Sequence, residues 1–147
     1  MLYNNEMEIE ELQTQEEWQE AFPVMRELRT TLDEQTYLNL IASMVKEGYR
    51  LFALRDSDII VSLAGIAILT NFSYGRYVWV HDLVTTSNVR SRGYGSRLLE
   101  FVEEVARCEN CRVVALSSGL ERTDAHRFYQ KQMNYDKTSY VFKKTLL

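Results

Sequence analysis

VWVHDLVTTSNVRSRGYGSRLLEF, Val78 to Phe101, begins in one kind of secondary structure and ends in another. Val78, Val80, Leu83 and Val84 are the residue types that a pleated, largely buried strand selects. From Leu98 the period lengthens. Leu98, Leu99, Val102, Val105 and Ala106 fall at helical spacing and make one apolar stripe. Between the two stands Arg90-Ser91-Arg92-Gly93-Tyr94-Gly95-Ser96. A helix start leaves its first backbone N–H groups unpaired and carries partial positive charge. Gly93 and Gly95 withhold the Cβ atoms that would keep an anion away, and Arg90 and Arg92 add charge. The corner reads as a pyrophosphate cradle.

Two common phosphate motifs do not fit. A P-loop needs Gly-Lys-Ser/Thr, and no lysine follows these glycines. The dinucleotide fingerprint needs a third glycine where Leu98 stands, and the chain is short for that fold. An ordinary strand-to-helix corner, with glycine for tight packing, is the plain alternative.

Composition narrows the classes. With 147 residues, one domain over 1–147 is expected, able to bury a substantial core. The net charge of −4 argues against nucleic-acid binding through a general basic surface. MLYNNEMEIEEL has no basic n-region and no apolar run, and Ile59 to Leu69 is too short to span a bilayer, so a cytoplasmic protein without membrane attachment is expected. Cys108 and Cys111 form a lone Cys-x-x-Cys. The only histidines, His81 and His126, lie in other elements, and the pair sits where a helix should end. Incidental thiols and no metal are the expectation.

The rest of the chain divides around the central stretch. Glu8 to Leu12 reads as an opening strand, with the first ~6 residues loose. Thr14-Gln15-Glu16-Glu17 has capping-box spacing and starts a helix that Pro23 kinks or restarts. Asp33 offers the next N-cap. Tyr37, Leu40, Ile41, Met44 and Val45 keep a helical stripe, and Gly48 ends it. Tyr49 to Arg55, Ile59 to Thr70 and Tyr77 to Thr85 read as antiparallel strands, the first pair joined by a tight turn at Asp56-Ser57-Asp58. After the cradle, a helix runs to about Glu109, succeeded by a strand Arg112 to Ser117, a helix Thr123 to Gln132 with Thr123 as N-cap, and a strand Thr138 to Lys144. The order predicts a mixed α/β fold, its mostly antiparallel sheet flanked by about four helices.

Arg-x-x-Gly-x-Gly after an apolar strand resembles the signature of the GNAT superfamily of N-acetyltransferases, and the element order agrees over nearly the whole chain. A second block, Ala125-His126-Arg127-Phe128-Tyr129 through Asn134-Tyr135, resembles the superfamily's Ala-x-x-Phe-Tyr-x-x-x-Gly-Phe/Tyr, with Asn134 in place of glycine. Asn tolerates the left-handed conformation needed there. Ser117-Ser118-Gly119, Arg122 and the wording of that block look like the small-amine branch that includes aminoalkylphosphonate acetyltransferases.

The resemblance implies acetyl-CoA as co-substrate and direct acetyl transfer to a primary amine. Such a reaction needs a neutral amine, a polarised thioester carbonyl and a proton for the departing thiolate. The matching superfamily tyrosine makes Tyr129 the candidate for the proton, or for a hydrogen bond alone. His81 is the preferred base and Asp82 the alternative. Alternation puts Trp79 and His81 on one face and Val80 and Asp82 on the other, unless a bulge exchanges them. By resemblance, a backbone N–H of Val84 or Leu83 polarises the thioester, and Thr85 lines the coenzyme. Amides from Ser91 through Arg92, Gly93, Tyr94 and Gly95 to Ser96 hold the pyrophosphate, with Arg90 and Arg92 adding charge. Ser117, Arg122, Phe128 and Lys131 complete the expected coenzyme contacts. The expected partner is a small-molecule amine, with a homodimer as the candidate assembly. Acetylation of a peptide or protein, and a non-catalytic acyl-CoA sensor, stand as alternatives.

Overall fold

The computed structural model describes residues 7–147, so the expected loose N-terminal residues lie outside it. The chain falls into two compact units, Met1–Ala115 and Leu116–Leu147.

In the first unit, β1 (Met7–Leu12) leads to α1 (Gln15–Leu28) and α2 (Glu34–Lys46). β2 (Arg50–Asp56), β3 (Ile59–Asn71) and β4 (Gly75–Thr85) come next, then α3 (Tyr94–Cys108) and β5 (Val113–Leu116), whose last residue is the first of the second unit. The sheet order is β1-β2-β3-β4-β5, and the first three pairings are antiparallel. This is the mixed, mostly antiparallel α/β class that the element order predicts.

Local chemistry explains the boundaries. The Thr14 hydroxyl accepts from the Glu17 amide while the Glu17 carboxylate accepts from the Thr14 amide, a complete capping box. The α1 helix runs unbroken through Pro23; the carbonyl this leaves without a helical donor, on Gln19, belongs to an exposed residue that water can reach. Asp33 caps α2 through the Thr36 amide. Ser57 and Asp58 take φ of 53° and 68°, which suits a two-residue hairpin loop. Arg55 joins three elements, donating to Glu10 on β1 and to both carboxylate oxygens of Glu20 on α1.

The sheet has one face for each helix layer. Leu51, Ala53, Leu63 and Val84 pack with Phe22 and Met25 of α1 and Tyr37 and Ile41 of α2. The α2 stripe is narrower than its sequence suggests, since Leu40 and Val45 are exposed. Leu98, Leu99 and Val102 of α3 are fully buried, as the helical spacing predicts.

The second unit holds the short α4 (Thr123–Arg127), which passes at Phe128–Gln132 into one wide turn closed by Met133 N–H donating to the Phe128 carbonyl. Arg122, not Thr123, occupies the N-cap position, without a side-chain cap. The strand expected at Thr138 to Lys144 is not formed: residues 133–147 carry no helix or strand. A strand persists only with ladder partners for its backbone. Tyr140, Val141 and Phe142 are exposed in succession rather than alternating in and out. Among the described residues no helix is long and apolar enough to cross a membrane.

Candidate functional site

The centre of the first unit's site is a bulge in β4. Gly65 pairs with Asp82 but its neighbour Ile66 pairs with Val80, so His81 has no residue opposite it. Ala67, two residues beyond Gly65, pairs with Trp79. Trp79 and Asp82 therefore share a face, and the side assignment from simple alternation is corrected for Asp82. His81 is exposed at the bulge.

Asp82 is buried and fully engaged. Its Oδ1 accepts from Arg29 Nε at 3.0 Å and Nη2 at 2.8 Å, and its Oδ2 accepts from the Tyr49 hydroxyl at 2.7 Å. Arg29 Nη2 also donates to the His81 carbonyl at 2.8 Å, so one guanidinium clamps both residues of the bulge. The Tyr49 ring lies 5.7 Å from that of His81. Burial, then the charge and hydrogen bond of Asp82, push the Tyr49 hydroxyl well above its ordinary pKa. Tyr49 is thus a permanent donor, and both carboxylate oxygens of Asp82 are committed to Arg29 and Tyr49. Replacing Tyr49 by phenylalanine strands a buried carboxylate oxygen and is expected to lower stability by ~1–3 kcal/mol, measurable by urea unfolding.

Below the bulge, β4 is pinned into the cradle. The Ser62 hydroxyl donates to the Val84 carbonyl and lies 3.0 Å from that of Thr85. Leu83 pairs with Ala64 and Val84 with Leu63. After a short 3₁₀ turn at Ser87–Val89, Ser91 and Gly93 take φ of 70° and 82°. The Gly93 conformation suits glycine, and it opens α3 with no side-chain cap on the first amides. Ser96 turns its hydroxyl back to the Gly93 carbonyl, while Tyr94 is buried and donates to Asp56. Arg92 is exposed, and Arg90 sends its Nε to the Thr85 carbonyl at 3.0 Å. As first residues of α3, Tyr94 and Gly95 have amides with no intrahelical acceptor, and with the missing Cβ at Gly93 and the adjacent Arg92 they fit a diphosphate.

In the second unit, Tyr129 is 9% exposed and its ring packs edge-on to Phe128 at 5.3 Å. Tyr135 N–H donates to the Tyr129 carbonyl, and Asn134 takes the left-handed φ of 62° that its substitution for glycine predicts. Burial raises the Tyr129 pKa, with Arg122 pulling the other way. Ser117, Arg122 and Lys131 are exposed, and the buried hydroxyl of Ser118 has no partner among the described residues. His126 contacts the Gly119 carbonyl through its ring.

Arg29, Tyr49 and Gly65 escaped the sequence analysis. Arg29 and Tyr49 meet Asp82 across 53 and 33 residues of chain, and only Gly65 carried a signal: a lone glycine inside an apolar strand marks a bulge or a close approach. Cys108 and Cys111 are free thiols, and among the described residues no cluster of three or more His, Cys, Asp and Glu could hold a metal.

A family model described as "Acetyltransferase (GNAT) family" matches residues 8–135. An uncharacterized N-acetyltransferase, YhdJ, of Bacillus subtilis (strain 168) is 44% identical over 137 residues, covering 92% of this chain and 96% of the relative. The aminoalkylphosphonate N-acetyltransferase of Salmonella typhimurium (strain LT2) is 29% identical over 123 residues, covering 81% of this chain and 78% of the relative. Among solved structures, the aminoglycoside N-acetyltransferase AAC(6')-Iy in complex with CoA superposes with a TM-score of 0.83 at 14% identity, covering 95% of this chain and 94% of that one. The five-stranded sheet and flanking helices share that fold.

Proposed function

The chain belongs to the acetyltransferase (GNAT) family, an enzyme family with acetyl-CoA as its co-substrate, and on that premise we propose that it moves the acetyl group directly to a primary amine of a small molecule. The observation that carries the proposal is the β4–α3 corner, where the strand carries a clamped bulge and the helix starts without a side-chain cap. Acetyl-CoA supplies an activated acetyl group. The amides of Tyr94 and Gly95, with Gly93 and Arg92, bind its diphosphate; Arg122, Lys131, Ser117 and Phe128 are assigned to the rest of the coenzyme.

Backbone N–H of Val84 or Leu83 orients and polarises the carbonyl. His81, exposed at the bulge and in no ion pair among the described residues, takes the proton of the incoming amine directly or through water. Asp82 falls back to holding the bulge, because Arg29 and Tyr49 occupy it. Tyr129 holds a proton for the departing sulfur, a role consistent with its burial and raised pKa. The name of the Salmonella relative supports a small amine as acceptor, and aminoalkylphosphonates are the first class to try. A single domain, a cytoplasmic setting and a homodimer complete the proposal.

Free-thiol release from acetyl-CoA tests it across aminoalkylphosphonates, polyamines, aminoglycosides, amino acids and lysine peptides. Release with one class of small amine is expected. Release with peptides alone would replace the small acceptor by a chain. Silence with every amine, while coenzyme A still binds, would turn the protein into a sensor.

A further inference from the structure

We infer that Glu27, in the last turn of α1, is a positioning residue for the coenzyme site: its carboxylate fastens the loop that leads from β4 into the cradle. The inference rests on the acetyl-CoA reading above but assigns a function to a residue outside every motif that pointed to it.

The geometry is specific. Glu27 Oε2 accepts from the Thr86 hydroxyl at 2.6 Å, and Oε1 accepts from the Ser87 backbone N–H at 2.8 Å. Arg90 Nη2 lies 3.8 Å from Oε1, a looser ionic contact. The same Arg90 gives its Nε to the Thr85 carbonyl, and the Thr86 amide gives its hydrogen to the Val61 carbonyl. The segment 85–90 is therefore bound on one side to β3 and on the other to α1. Immediately beyond it the backbone turns through positive φ at Ser91, an uncommon conformation for a residue with a Cβ, and at Gly93, which accepts it freely. A loop held at its entrance needs less ordering when a diphosphate docks on the amides beyond it.

The carboxylate is suited to this work. Burial alone would raise its pKa, but the hydrogen bonds from Thr86 and Ser87 and the charge of Arg90 outweigh that and hold it below the ordinary glutamate value. It is ionised at every pH where an amine is a useful nucleophile. A side-chain amide can keep the Ser87 contact through its oxygen, but its nitrogen can only donate to the Thr86 hydroxyl, and the negative charge facing Arg90 is lost. Two residues on, Arg29 reaches the bulge at His81 and Asp82. The end of α1 thus grips the β4–cradle segment twice, once on each side of Val84, and ties the bulge and the coenzyme loop to one helix end.

The test is calorimetric binding of acetyl-CoA to wild type and Glu27→Gln without any acceptor, together with steady-state kinetics and thermal unfolding. Loss of a charged hydrogen-bond acceptor should weaken acetyl-CoA binding about tenfold and raise its KM in parallel, while kcat at saturation stays within about twofold. Thr86→Val should reproduce part of the effect, and the double variant should be weaker than wild type by less than the product of the two. Unchanged acetyl-CoA affinity in a folded Glu27→Gln protein, even with a lowered Tm, would overturn the inference and leave Glu27 a structural residue. A silent amine panel beside a weakened affinity in the variant would sink the acceptor proposal and leave this one standing.

Discussion

Replacing Tyr129 by phenylalanine is expected to lower kcat by about 10²-fold or more, the usual scale for removing a positioned proton donor, with the KM for acetyl-CoA little changed. The ring stays to pack on Phe128, so the loss isolates the hydroxyl. The sign of the pH dependence comes from the environment. Burial favours the neutral phenol and raises its pKa above the ordinary 10.0, with Arg122 opposing. The hydroxyl therefore keeps its proton through neutral and mildly alkaline pH, and any fall in rate from its ionisation sets in at a higher pH than for an ordinary phenol. Between neutrality and that point the variant's profile should run parallel to wild type, displaced downward. A variant with wild-type kcat would show that the departing sulfur needs no donor from this chain.

The second large effect concerns Gly65. A Cβ built there would stand 1.8 Å from the Tyr49 hydroxyl oxygen and 2.4 Å from Cζ, and the ring cannot retreat without giving up Asp82. Gly65→Ala should therefore destabilise the protein by ~1–3 kcal/mol, read as a shift in urea midpoint. Because Asp82 and His81 share the bulge, activity should fall further than stability. Removing the obstruction in Gly65→Ala/Tyr49→Ala should cost less than the two single changes together, since both act on one contact. Simple additivity would mean that Tyr49 and Gly65 are independent and that the clamp has been misread.

Much of this was legible from residues close together in the chain. The capping box at Thr14, the N-cap at Asp33, the loop at Asp56-Ser57-Asp58 and the turn from β4 into α3 all depend on neighbours a few positions apart, and each formed as expected. Asn134 adopted the conformation its chemistry allows. The features that escaped depend on tertiary contact. Alternation along β4 gave the wrong side for Asp82 because one extra residue, His81, enters the strand, and a bulge leaves no mark on periodicity. Arg29 and Glu27 look like ordinary charges on an amphipathic helix until β4 comes to lie beside them. Tyr140 to Phe142 has the composition of a strand, but composition does not supply the partner that a strand requires.

Direct transfer is the central claim, and mixing the protein with acetyl-CoA before any amine tests it most plainly. Thiol release and the intact protein mass, tracked together, should show no stoichiometric burst and no mass gain until the amine is added, after which thiol and acetylated amine appear in equal amounts. A burst of one thiol per chain without amine, with an acetyl group found on Cys108 or Cys111, would contradict it.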